Sequence, residues 1–125
     1  MTTFESLLPD LNSAIERLSE VLALPKNSIV RDSAIKRFEF CFDLAWKTVK
    51  AFLEEKHGVK ESSPKSVWRE AYRQKLIEYD NFWLELTDKR NQTAHTYKEP
   101  VAEAVYAILP QALENFKKLR QSLKE

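Results

Sequence analysis

The chain has 125 residues, 43% of them hydrophobic and 31% charged, with one glycine (Gly58), one cysteine (Cys41) and five prolines. That suffices for one core, hence one domain over residues 1–125; the lone glycine leaves no glycine-rich phosphate loop and argues against a hairpin-rich sheet. The lone cysteine excludes an intrachain disulfide and a cysteine-based zinc site, and a net charge of +1 is too small for a strong global pull on nucleic acid.

Apolar residues recur at helical spacing almost throughout. Leu7, Leu8, Leu11, Ile15, Leu18 and Leu22 form a first stripe that Pro25 stops, with Pro9 placing the start near Asp10. A long second helix runs from about Ile29 to His57 and ends at Gly58. Ile35, Phe38, Phe42, Ala45, Val49 and Phe52 line its core face. Ser63-Pro64 opens a third helix, with serine as cap and proline in the first turn. It carries Val67, Trp68, Ala71 and Tyr72 and ends near Leu76. A fourth begins around Asp80 with Phe82, Trp83 and Leu86. The last starts at Pro100 and runs to the C-terminus, with a kink expected at Pro110. Short connectors between amphipathic helices imply an all-α, up-and-down antiparallel bundle of four long helices and one short.

No apolar run is long enough to span a membrane. Residues 1–10 carry Glu5 and Asp10 but no basic cluster, so no export signal is visible and the expectation is a reduced, cytoplasmic protein. The charge is uneven: residues 1–24 balance to −3 and residues 60–75 to +3. Within the second helix Phe40, Leu44 and Trp46 point away from the core face. A helix apolar on two sides is either central in its fold or faces another chain, and the expectation is a homodimer.

Arg90-Asn91-Gln92-Thr93-Ala94-His95-Thr96-Tyr97 packs a guanidinium, an amide, an imidazole and a phenol into one helix junction. On a regular helix His95 lies about 140° round from Arg90, and a frayed last turn could bring the two together. Arginine offers a fork matched to phosphate oxygens, and histidine moves protons near neutral pH. Together they suit attack of a ribose 2′-hydroxyl on its own phosphate. That reaction wants a base and an acid, and a two-fold dimer would supply two copies of His95. The plain alternative is that Arg90 pairs with Asp88 or Glu85 while His95 and Tyr97 cap helices.

Other polar residues allow two readings. Lys65, Arg69 and Arg73 form an i, i+4, i+8 row that could track an RNA backbone or be a solvated basic face. Lys36, Asp43, Lys47 and Lys50 make a charged stripe on the second helix with Glu39 beside it. Asp43 and Lys47 have the order that favours an ion pair. His57 reads as a helix-end residue and Cys41 as a small buried hydrophobe. Trp46, Trp68 and Trp83 have core spacing.

Three blocks carry a resemblance to a known family. They are Arg31-Asp32-Ser33-Ala34-Ile35-Lys36-Arg37-Phe38-Glu39-Phe40, then Leu44-Ala45-Trp46-Lys47-Thr48, then Phe82-Trp83-Leu84 with Arg90-Asn91 and His95-Thr96-Tyr97. With Ser63-Pro64-Lys65 between them, residues 28–110 resemble the nucleotidyltransferase substrate-binding family of the HEPN superfamily, whose toxin members are called HepT. The resemblance implies an all-helical homodimer encoded beside a minimal nucleotidyltransferase. It implies a metal-independent ribonuclease, without cofactor, with tRNA among the family's targets. The R-x4-H-x-Y pattern falls on Arg90, His95 and Tyr97, with Asn91 as the polar residue after the arginine. Arg90 would steady the phosphate, His95 would do acid–base work, and Asn91 would orient one of them. The partner enzyme would silence the toxin by transferring AMP to Tyr97. Glu39, Asp43 and Lys47 lie in or beside matched blocks and become candidates to line the cleft. The family also holds members read as non-catalytic substrate-binding subunits, which is the alternative function.

Overall fold

The computed structural model describes residues 1–124. In chain order it contains α1 (Thr3–Leu22), α2 (Ser28–His57), α3 (Pro64–Arg73), α4 (Phe82–Gln92), a 3-10 turn (Thr93–His95) and α5 (Glu99–Lys124), with no strand among the described residues. The all-helical class is the one expected. With α3 and α4 only ten and eleven residues long, three long helices carry the bundle rather than four.

Local chemistry explains most helix ends. Thr2 and Glu5 form a capping box, so α1 begins at Thr3, well before Asp10. Pro9 is tolerated inside α1 because the one carbonyl it leaves unpaired belongs to exposed Glu5, where water can reach it. Asn27 caps α2 by accepting from the Val30 amide at 2.8 Å, and Gly58 ends it with φ +67°. Ser63 caps α3. That helix stops at Arg73, short of the expected Leu76, in a two-bond terminal lock. Lys75 N donates to Tyr72 O and Leu76 N to Ala71 O, both at 2.9 Å, with Lys75 at φ 63°. The lock turns Leu76 back into the core. α5 starts at Glu99 and remains helical through Pro110, which is exposed.

α1, α2 and α5 pack together around Leu11, Ile15, Leu18, Phe38, Phe42, Phe116 and Leu119, all essentially inaccessible. α3 and α4 pack against α2, and α4 also against α5. Trp68 and Trp83 stack there at 4.4 Å, and Trp68 Nε1 donates to Thr87 Oγ1 at 3.1 Å, which satisfies a buried indole. Cys41 is fully buried, and burial pushes its thiol pKa up, as suits a small core residue. His57 sits at the last position of α2 with its ring 5.8 Å from Phe52. Tyr72 departs from the expectation of a core residue. It lies half in solvent, edge-on to Tyr79 at 5.5 Å.

This packing lays the connector between α4 and α5 beside α2. The candidate functional residues therefore depend on what α2 presents to that connector.

Candidate active site

Arg90 stands in the last turn of α4 and reaches back to the middle of α2. Its Nε donates to Asp43 Oδ1 and its Nη2 to Asp43 Oδ2, both at 3.0 Å. This is the planar two-bond fork that guanidinium and carboxylate form best. Neither expected local partner, Asp88 or Glu85, holds Arg90. Asp43 likewise makes no ion pair with Lys47, because its carboxylate is engaged across the helix interface. The hydrogen bonds Arg90 donates to Asp43, helped by the charges of Asp43 and Glu39, raise the Arg90 pKa further, against the opposing effect of partial burial. Arg90 is therefore a permanent cation.

A third bond fixes the remaining arm. Arg90 Nη1 donates to Thr93 Oγ1 at 2.8 Å, and that hydroxyl donates to the Arg90 carbonyl at 2.7 Å. Thr93 is buried and begins the 3-10 turn. Thr96 Oγ1 then donates to Thr93 O at 3.1 Å, and Lys98 N to His95 O at 3.1 Å, so the connector winds tightly to the start of α5. The regular helix thus gives way at Thr93 to a 3-10 turn that ends at His95.

His95 is exposed at the end of this turn, and Tyr97 is 76% exposed two residues on. Their ring centroids lie 6.3 Å apart, edge to face, and Lys98 Nζ sits 5.9 Å over the Tyr97 ring. Asn91 is exposed. On α2, Glu39 is engaged with Lys36 at 3.1 Å. Exposed Lys47 lines a groove of about 540 Å³ between α1 and α2 with Asp43, Phe40, Leu44, Arg17 and Arg37. Of the row on α3, Lys65 pairs with Asp88 at 2.8 Å and Arg73 with Glu70 at 2.6 Å. Arg69 is exposed and has no ion-pair partner among the described residues. Among the described residues no three His, Cys, Asp or Glu side chains gather as a metal site, and no helix is long and apolar enough to cross a membrane.

Two features were not readable from sequence. Thr93 as a clamp on Arg90 had a faint local signal, a threonine three residues on at a helix end. Asp43 as the Arg90 partner had none, since 47 positions separate them.

Residues 3–125 match the family described as nucleotidyltransferase substrate binding protein like. The chain belongs to this family. A relative called probable ribonuclease HepT, from Haemophilus influenzae strain KW20 / Rd, is 34% identical over 106 residues, covering 78% of this chain and 73% of the relative. A crystal structure from Thermus thermophilus is 34% identical with a TM-score of 0.88, over 92% of this chain and 99% of that one. A second structure, from Haemophilus influenzae, is 28% identical with a TM-score of 0.85, over 94% and 99% of the two chains. It is described as revealing the fold of a substrate binding domain of a nucleotidyltransferase. Membership of this family accounts for the all-helical fold, which the two solved structures share.

Proposed function

We propose that the chain is the ribonuclease toxin of a pair with a minimal nucleotidyltransferase, acting in the cytoplasm as a homodimer. One observation carries the reading. Arg90 is held in a fixed fork by Asp43 and Thr93, while His95 and Tyr97 stand exposed on the connector that begins at Thr93. The relative called probable ribonuclease HepT supports the same reaction class.

The chemistry follows from the groups. His95 takes the proton of a ribose 2′-hydroxyl, whose oxygen attacks the adjacent phosphorus. Arg90 stabilises the extra negative charge on the phosphorane, and Asn91 orients the phosphate or the imidazole. The phosphorus–5′-oxygen bond breaks, leaving a 2′,3′-cyclic phosphate, and the departing oxygen takes a proton from the partner subunit's His95. No metal or cofactor takes part. The second copy covers part of the outer face of α2, where Phe40 is half exposed and Leu44 and Trp46 are half-buried. Arg69 contacts the RNA backbone, with Lys65 and Arg73 joining it where phosphate displaces their carboxylates. Glu39, Asp43 and Lys47 line the cleft, and RNA, tRNA included, is the substrate. The nucleotidyltransferase partner silences the enzyme on Tyr97: the phenol oxygen attacks the α-phosphate of ATP and pyrophosphate leaves. The added anion stands two residues from His95 and repels RNA phosphates.

The test is purified chain with total RNA and EDTA, beside His95→Ala. Fragments with cyclic-phosphate ends from the native protein alone are expected, and equal cutting by both proteins refutes the assignment of His95. A second reading, a non-catalytic substrate-binding subunit, draws on the description of the Haemophilus influenzae structure. It predicts intact RNA from native chain whose mass shows no AMP.

A further inference from the structure

The side chains of His95 and Tyr97 make no hydrogen bond among the described residues, so their positions are inherited from the backbone that carries them. That backbone is anchored at both ends, and both anchors are on α2. At one end Asp43 holds Arg90. At the other, Arg31 holds the first turn of α5.

Arg31 is only 5% exposed, an unusual place for a guanidinium. It also stands in the first turn of α2, where the helix dipole disfavours a cation. Two physical costs are therefore accepted at one residue. Its partners balance them: Nη1 and Nη2 donate to the two carboxylate oxygens of Glu99 at 2.6 and 3.1 Å. Nη1 also reaches Glu103 at 3.5 Å, and Nε donates to Asp32 at 3.1 Å. Lys26 completes the cluster on Glu103 at 2.6 Å. Glu99 is the first residue of α5, two positions beyond Tyr97, and a carboxylate there suits the local dipole.

We infer that Arg31 and Glu99 are positioning residues for the reaction proposed above, setting where His95 and Tyr97 stand relative to Arg90. Arg31 and Asp43 are twelve residues apart on one helix, about 18 Å along its axis. α2 acts as a ruler, and the connector from Arg90 to Glu99 is held between two marks on it. The inference rests on the ribonuclease reading for its activity arm alone. Its structural arm, that releasing Glu99 frees the connector, stands independently.

The experiment uses the full chain carrying Glu99→Gln, a change at an exposed side chain that leaves the core intact, with Arg31→Lys as the conservative variant. Amide hydrogen exchange at Lys98, Val101 and Ala102, which donate to His95 O and Lys98 O, is expected to quicken about 10-fold in Glu99→Gln while the core of α2 is unchanged. Cleavage kcat is expected to fall by about 10-fold or more with KM little moved, because misplacement by 1 Å costs up to about 100-fold. Arg31→Lys, which keeps the charge and loses the fork, should fall between native and Glu99→Gln. Unchanged exchange overturns the inference. So does a loss of activity that vanishes when rates are divided by the folded fraction, since that is a stability effect alone. If exchange quickens but even the native chain leaves RNA intact, the clamp stands and the ribonuclease reading falls.

Discussion

Asp43→Asn isolates what the fork on Arg90 contributes. The substitution keeps the size of the side chain and one acceptor oxygen, but replaces the other oxygen with an amide donor facing a guanidinium nitrogen. Of the two bonds at 3.0 Å, one is lost, and the charge that strengthens both disappears. Such charge-assisted bonds contribute about 1.5–3 kcal/mol when sheltered. Here the two side chains retain 29% and 38% of their exposure, so water competes and the figure drops to about 1 kcal/mol. A urea titration should show that modest loss. The catalytic effect should exceed it: held by Thr93 and one weakened bond to the remaining amide oxygen, the guanidinium swings away from the developing phosphorane charge. A roughly 10- to 100-fold drop in kcat is expected, with little change in KM. Single-turnover cleavage of a labelled RNA, run where both proteins are fully folded, separates the two effects. Cleavage within twofold of native would refute the claim that Asp43 orients Arg90. A stability loss beyond about 3 kcal/mol would show instead that the pair is a structural strut.

The remaining expectations concern stability. Hydrogen bonds and charge from Arg31 hold Glu99 below its ordinary pKa of 4.5, and Lys26 does the same for Glu103. A folded-state value below the unfolded one means this stabilisation is complete above the unfolded value and is lost as pH falls through the folded one. Glu99→Gln should therefore lower the urea midpoint at pH 7, with the gap to native narrowing as pH falls below the unfolded value; a gap that does not narrow would rule out the ion pair as its source. Lys75 occupies the left-handed region at φ 63°, where glycine is at no disadvantage. Lys75→Gly should raise stability by about 1 kcal/mol in the same titration, and a loss would mean that the lysine side chain matters at that helix end.

The helices were legible where local chemistry marks them: the Ser63 cap, the Gly58 stop and the 3.6-residue apolar period. The errors arose where local rules compete. Pro9 reads as a helix boundary, but it sits where its orphaned carbonyl is solvated, and the Thr2 box extends the helix past it. Leu76 continues the apolar rhythm of α3, yet it reaches the core through a reversed turn. The charged residues were harder still, because an ion pair between neighbours in sequence and one between distant helices look alike in a string of letters. Asp43 has a favourable lysine four residues away and chooses an arginine 47 residues away, since only that partner offers a fork in the plane of its carboxylate.

Under the proposed function, that choice bears on how one chain would serve both a reaction and its control. The reactive group must be fixed, and the group to be modified must be open to an enzyme as large as a nucleotidyltransferase. Arg90 meets the first demand with three hydrogen bonds from its side chain to Asp43 and Thr93. Tyr97 meets the second with three-quarters of its surface in solvent. A rigid end and an exposed end seven residues apart require something to keep the segment between them from drifting. α2 does this with Asp43 near its middle and Arg31 near its start. Loosening Glu99 should then affect the two chemistries unequally: cutting RNA depends on the registration of His95 with Arg90, whereas AMP transfer needs only an accessible phenol. A Glu99→Gln protein that loses cleavage yet still accepts AMP at the native rate would show that the connector is held for catalysis. Equal loss of both would place the clamp in service of the partner enzyme as well.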